Sequence, residues 1–317
     1  MQIKLKKYMS LLLALIFFVA MSSTVSATLD RADNVVVGGS TVTDSAGNGA
    51  QSSATTSSAA KITYQVTPSE KQKFTTFQSW ISQLKTENSD VVGWLMIPGT
   101  NINTVIVQSP TERNNVYYNS RDWKKNNFPG LTYKNYVITS TFLDYRVVRG
   151  SSNWRSNSRN TVIYGHNWTN LRNPYDIGNV KGHDMLAQMP SYTDVKFAKE
   201  NPYIYYSTGE IEGIWKVFAA ATCEVDRSFF YNSPNPSKES LNTLIKEWKQ
   251  RSNLTFDVDV SPDDRILTIS TCTREYPGVE EKQRFVVVAR LLREGETDKD
   301  SVSVTVNKNK KIPTFPK

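Results

Sequence analysis

The stretch Arg265-Ile266-Leu267-Thr268-Ile269-Ser270-Thr271-Cys272-Thr273 constrains this chain more than any other part of it. It is β-branched and apolar, and it ends on a cysteine. A turn-like segment follows, Arg274-Glu275-Tyr276-Pro277-Gly278, and then a second apolar run, Arg284-Phe285-Val286-Val287-Val288-Ala289-Arg290-Leu291. Val, Ile and Thr on both sides of a Pro-Gly predict strand, loop, strand. That geometry holds a thiol at the end of one strand and the Arg284 guanidinium at the start of the next. A thiol beside a fixed cation is the arrangement that activates a cysteine. A lone cysteine at a strand end is also a common buried small hydrophobe, so on residue type alone both readings stand.

At 317 residues the chain can form one large domain or two modest ones. With 38 Lys and Arg against 30 Asp and Glu it suits an anionic neighbourhood: a membrane surface, a cell wall or nucleic acid. The basic residues are scattered and no zinc-ligand spacing accompanies them, so nucleic acid is not expected as a partner. Cys223 and Cys272 could form one disulfide but are too few for a disulfide scaffold, and a working thiol would have to stay unpaired.

Residues 1–27 have the form of an export segment. Lys4, Lys6 and Lys7 precede an apolar run over 9–21, and Val25-Ser26-Ala27 resembles a cleavage site. The run, about 13 residues, is short of the roughly 20 that span a bilayer, so a cleaved signal and a retained membrane anchor both stay open. As an anchor, its lysines would keep the N-terminus inside and the rest of the chain outside. Residues 28–67, rich in Ser, Thr, Ala and Gly, cannot bury enough surface to fold and form a flexible linker.

Order is expected from about Pro68. Phe74, Phe77, Ile81 and Leu84 follow a helical period, with Ser69 as N-cap. Strands are expected at 91–97, 102–108, 136–149, 160–164, 203–207 and 213–221, with loop and short helix over 111–135. Leu241, Leu244, Ile245 and Trp248 mark a second helix over 237–251, capped by Ser237. His166 follows a strand end beside Gly165, a position from which a histidine either titrates in a site or simply hydrogen-bonds at the surface. His183 introduces an amphipathic segment (Met185, Leu186, Met189) and suits a helix start. Cys223 closes the 213–221 strand as a core or near-surface thiol. Many short strands with two helical interruptions make one mixed β-barrel or sandwich domain.

These residues also carry a family resemblance. Thr268-Ile269-Ser270-Thr271-Cys272 resembles the sortase signature Thr-Leu-x-Thr-Cys, with isoleucine for leucine, and its serine resembles the class B subgroup. Val162-Ile163-Tyr164-Gly165-His166-Asn167 resembles the sortase segment with the catalytic histidine. Arg284-Phe285-Val286-Val287-Val288-Ala289-Arg290 resembles the strand that opens on the catalytic arginine. Val92-Gly93-Trp94-Leu95, Phe142-Leu143-Asp144-Tyr145-Arg146 and the long helix before the cysteine strand also look like class B sortase. The resemblance covers about residues 68–292. It implies a mainly β fold with flanking helices: a sortase-like closed mixed β-barrel of about eight strands, an N-terminal amphipathic helix and a long helix before the cysteine strand. The catalytic domain would be 68–295, followed by a polar tail over 296–317.

The activity implied is that of a cysteine transpeptidase. It would cleave a C-terminal sorting motif after threonine, hold the surface protein as a thioacyl on Cys272, and transfer it to a peptidoglycan amine outside a Gram-positive cell. Cys272 would be the nucleophile, His166 the acid and base, and Arg284 the oxyanion or substrate-positioning cation. No metal or organic cofactor is implied. Thiol and imidazole with ordinary values, about 8.5 and about 6.5, would form a mostly uncharged pair. Ser270 and Thr271 would line the substrate groove or else bond backbone. Glu275 would orient His166 or read substrate, and Arg274 competes with Arg284 on proximity in sequence. A pilus-type sortase using a pilin lysine and a non-catalytic wall-binding module are the other readings. The motif is expected as Asn-Pro-x-Thr-Asn or Asn-Pro-x-Thr-Gly, with Leu-Pro-x-Thr-Gly still open.

Overall fold

The computed structural model describes residues 68–132, 137–150, 153–169, 185–225 and 231–315. The expected leader, the linker and His183 lie outside these residues. Helix α1 (Pro68–Lys85) leads to an antiparallel pair, β1 (Val91–Met96) and β2 (Asn103–Gln108). The short helix α2 (Val116–Asn119) precedes β3 (Thr141–Leu143) and β4 (Asn160–Gly165). Helix α3 (Val195–Glu200), β5 (Tyr203–Thr208) and β6 (Ile214–Glu224) follow. Helix α4 (Lys238–Arg251) then runs into β7 (Leu254–Phe256), β8 (Ile266–Cys272), β9 (Gln283–Leu291) and β10 (Val304–Val306). Among the described residues, no helix is long and apolar enough to cross a membrane.

Eight strands close a barrel in the order β1-β2-β3-β4-β8-β9-β6-β5, and β10 pairs with β7 as a separate ribbon. The barrel is mixed, because β2–β3 and β4–β8 are parallel and the other pairs antiparallel. This is the closed eight-strand architecture expected above. β8 and β9 are covered on both faces, so even polar members such as Thr268, Ser270, Gln283 and Arg290 are buried, unlike the outer face of a half-exposed strand. Helix α4 packs against β6, and its Trp248 is buried and meets Tyr231 edge-on at 5.8 Å. Ser237 caps it by accepting from Ser240 N, as its position before the periodic run predicts. On α1, Phe77 and Ile81 are buried, and Trp80 packs on Trp94 of β1 with ring centroids 4.6 Å apart.

Three expectations are corrected here. Ser69 lies inside the first turn of α1, which begins at Pro68. The strand expected over 136–149 is paired only at Thr141–Leu143, because Asp144 turns inward as a buried acceptor and Val147 N closes a turn on its carbonyl. The segment at Met185, Leu186 and Met189 is a turn and a 3-10 helix (Met189–Thr193), since Pro190 lacks an amide hydrogen and Met185 has φ +57°.

Past β9 the chain is pinned back to the barrel by ion pairs. Glu296 takes Arg290 at 2.5 and 2.6 Å and Lys216 at 3.0 Å, and Arg290 is almost fully buried. Burial alone would raise the Glu296 carboxyl, but the Arg290, Arg293 and Lys216 donors draw it down to about 2. Its folded value is below its unfolded one, so its contribution is complete above pH 4.5 and is lost as pH falls through about 2. Glu296→Gln leaves a buried guanidinium without its counter-charge and is expected to cost about 2–3 kcal/mol at pH 7. Urea unfolding should show that difference from the parent shrinking steadily below pH 4.5; a constant difference down to acid pH would contradict the assignment.

Candidate active site

Parallel pairing sets Gly165 of β4 opposite Thr271 of β8, and antiparallel pairing sets Cys272 opposite Arg284 of β9. The same register continues to β6, where Arg284 faces Cys223. Directly opposed side chains share a face of the sheet. Cys272, Arg284 and Cys223 therefore form one row, and His166 follows Gly165 at the Cys272 end of it. His166, Cys272 and Arg284 line a single open cavity of about 370 Å3. Asn115 and Asn119 form its wall on the α2 side, and Tyr164 and Tyr231 complete it.

His166 is held from three sides. Its Nε2 lies 2.6 Å from the Asn119 carbonyl oxygen, which can only accept, so Nε2 carries the proton. Its ring stacks on Trp168 at 4.8 Å, and its own carbonyl accepts from Leu186 N at 3.1 Å. Burial pushes the imidazole below its ordinary value; the Asn119 bond opposes this, and the Arg284 charge pushes it further down. The ring is thus neutral near pH 7, with Nδ1 as its unprotonated nitrogen.

Both cysteines are free thiols. Cys272 is partly exposed at the cavity, whereas Cys223 is fully buried and its thiol is pushed up to about 12, by burial first and by Glu224 next. The two stand two strands apart, about 10 Å at ordinary strand spacing. A disulfide needs Cα atoms within about 7 Å, so the barrel keeps them apart.

Arg284 Nη1 donates to the Gln283 and Glu281 carbonyls at 2.7 and 3.2 Å, which aims the guanidinium at the cavity edge. Arg274 instead donates to the Asn167 carbonyl at 3.3 Å and is absent from the lining. Ser270 faces the cavity with its hydroxyl 3.4 Å from the Tyr231 hydroxyl. Thr271 also borders it, but its hydroxyl donates to Gly165 O at 2.7 Å and so staples β8 to β4. Glu275 is not brought to His166: its carboxylate takes the Thr222 hydroxyl and lies 3.6 Å from Lys310 Nζ.

Three residues around the site were not named as site residues from the sequence: Asn119, Asn167 and Asp144. Asn119 contributes a backbone carbonyl. Asn167 donates from Nδ2 to Cys272 O at 2.9 Å, tying the residue after His166 to the end of β8. Asp144 is a buried hub that accepts from Arg146, Asn115 and Tyr164 at 2.7 to 3.1 Å. Burial would raise its carboxyl, yet the Arg146 and Asn115 donors hold it below the usual carboxylate range. The signal that could have found it was the Phe142–Arg146 motif itself, whose acidic and basic members pair two residues apart.

No family model matches the chain. Sortase B of Listeria monocytogenes is 31% identical over 214 residues, 67% of this chain and 74% of that protein. A Staphylococcus aureus sortase B–substrate complex has the same fold, with TM-score 0.53 at 22% identity over 70% of this chain and 92% of that one. A sortase B solved in complex with triglycine gives TM-score 0.53 at 24% identity, over 70% and 93%. With the barrel and this extent of identity to the Listeria protein, the chain belongs to the sortase B family of cysteine transpeptidases.

Proposed function

We propose that this sortase cleaves a C-terminal sorting signal after its threonine and joins the threonine carbonyl to an amine of cell-wall peptidoglycan. The observation that carries the reading is the row placing Cys272 and Arg284 side by side, with His166 lining the same cavity. Cys272 Sγ passes its proton to His166 Nδ1 and bonds to the threonine carbonyl carbon. Arg284 donates to the oxyanion that forms, with the N–H groups not taken by Gln283 and Glu281. The imidazolium returns the proton to the departing amide nitrogen as the C–N bond breaks, leaving a thioacyl on Cys272. An incoming amine attacks that carbon and gives a proton to neutral His166; the C–S bond breaks and the thiolate recovers a proton.

Class B resemblance directs the motif to Asn-Pro-x-Thr-Asn or Asn-Pro-x-Thr-Gly, and the relatives solved with a substrate and with triglycine support a peptide donor and a glycine-type amine. The export segment 1–27 and spacer 28–67 support a site of action on the outer face of a Gram-positive cell membrane.

The test is a panel of these peptides, with Leu-Pro-x-Thr-Gly included, offered triglycine or an Nα-blocked lysine and read by mass spectrometry. We expect a thioacyl on Cys272 and a triglycine product from the Asn-Pro-x-Thr class, with turnover falling roughly 10³-fold or more in Cys272→Ala. Unchanged turnover in that variant would sink the mechanism, and transfer to lysine alone would make the acceptor a pilin.

A second measurement concerns His166. Its imidazole resonances should titrate with a midpoint below 6.5, the sign expected when burial disfavours the charged form. Arg284→Ala should move that midpoint upward yet leave it below 6.5, because burial is the larger cause. A midpoint at or above 6.5 in the parent protein would contradict the neutral base.

A further inference from the structure

Residues 296–315 add no strand to the barrel, yet they end against the loop that joins Cys272 to Arg284. After β10 the chain follows the end of α4, where Asn307 Nδ2 donates to Ser252 O at 2.9 Å and Lys311 N to Gln250 O at 2.8 Å. Lys310 Nζ donates to Asn253 Oδ1 at 2.6 Å and lies 3.6 Å from Glu275, three residues past Cys272. Thr314 N donates at 2.7 Å to Glu224, which faces Gln283 across β6 and β9. The Phe315 ring packs on Tyr276 with centroids 5.4 Å apart.

From Tyr276 the contacts lead directly to the arginine. Tyr276 N donates to Gln283 Oε1 at 3.1 Å, and Gln283 Nε2 donates back to Tyr276 O at 2.7 Å. Gln283 is fully buried, and its carbonyl accepts from Arg284 Nη1 at 2.7 Å. The loop itself is an exposed turn through Pro277 and Gly278, with Gly278 at φ +81°. Left to itself, such a turn would let the arginine's support wander.

We propose that Phe315 and Lys310 are positioning residues for transpeptidation: they clamp Tyr276 and Glu275, and through Gln283 they fix the Arg284 guanidinium beside Cys272. The proposal rests on the role given above to Arg284. Fixing a charge before the reaction removes the reorganisation it would otherwise undergo as the oxyanion forms, and small misplacements of such a group are costly. The effect falls on kcat, since no residue of the segment lines the cavity.

The experiment is a double-mutant cycle in the full chain, with steady-state kinetics on the best sorting peptide and thermal unfolding of every variant. Phe315→Ala and Lys310→Ala should each lower kcat about tenfold with little change in KM. Phe315→Tyr and Lys310→Arg should restore most of it. In an Arg284→Lys background Phe315→Ala should cause no further loss, because residues that act through one another are not additive. Parent-like kcat in both alanine variants, the same fold loss in both backgrounds, or a loss that tracks the unfolded fraction would each overturn the positioning role. An Arg284→Lys variant as fast as the parent would instead overturn the role of Arg284, and the clamp's purpose with it.

Discussion

Strand register is the constraint on which the site depends. Cys272 and Arg284 come from β8 and β9 and His166 from the residue after β4, and their meeting follows from two pairings, Gly165 with Thr271 and Cys272 with Arg284. A slip of one residue in either pairing would turn a side chain to the opposite face of the sheet and disperse the group. The register is guarded beyond the backbone ladder. Thr271 donates across to Gly165 O, Asn167 donates to Cys272 O, and Thr268 donates to Asn160 Oδ1 at 2.8 Å near the other end of the same pair. Closure of the barrel removes the edges at which such a slip would begin.

The electrostatics follow from the same placement. A histidine at a strand end is partly covered by its neighbours, and this one also stands near a fixed guanidinium, so both environment and charge favour the neutral ring. The ring is kept in one tautomer by the Asn119 carbonyl, with Nδ1 left as its unprotonated nitrogen. The wall that carries Asn119 is braced in turn by Asp144, which joins Asn115 beside α2 to Tyr164 on β4.

How much of this could be read in the sequence depends on the length of each element. The strands ending at Cys272 and beginning near Arg284, and the helix behind Ser237, are long enough for their composition and capping to show, and the structure has them within a residue of the expected ends. β3, β7 and β10 are three residues each, too short for any period to register. The same division holds at the site. That Cys272, His166 and Arg284 meet at one cavity was legible because side-chain identity and strand position coincide in them. Glu275 was named for its nearness to Cys272 in sequence, and the chain turns it to Thr222 and Lys310, partners far away in sequence that proximity could not suggest. Asn119 acts through a carbonyl that every residue has. The wall-binding reading falls with membership of a transpeptidase family.

The two cysteines show how little of the chemistry lies in residue type. Both thiols belong to one row and flank the same arginine, so proximity to a cation is common to them. Cys223 sits inside β6 with a neighbour on either side and is fully buried; there the cost of an uncompensated thiolate exceeds what the nearby guanidiniums offer, and the thiol is pushed up to about 12. Cys272 is the last residue of β8, where the cover of the sheet ends and the cavity begins. A strand terminus gives a side chain the rigid backbone of the barrel on one side and access for a peptide on the other. It is that position, more than the cation beside it, that separates the cavity thiol from the core thiol.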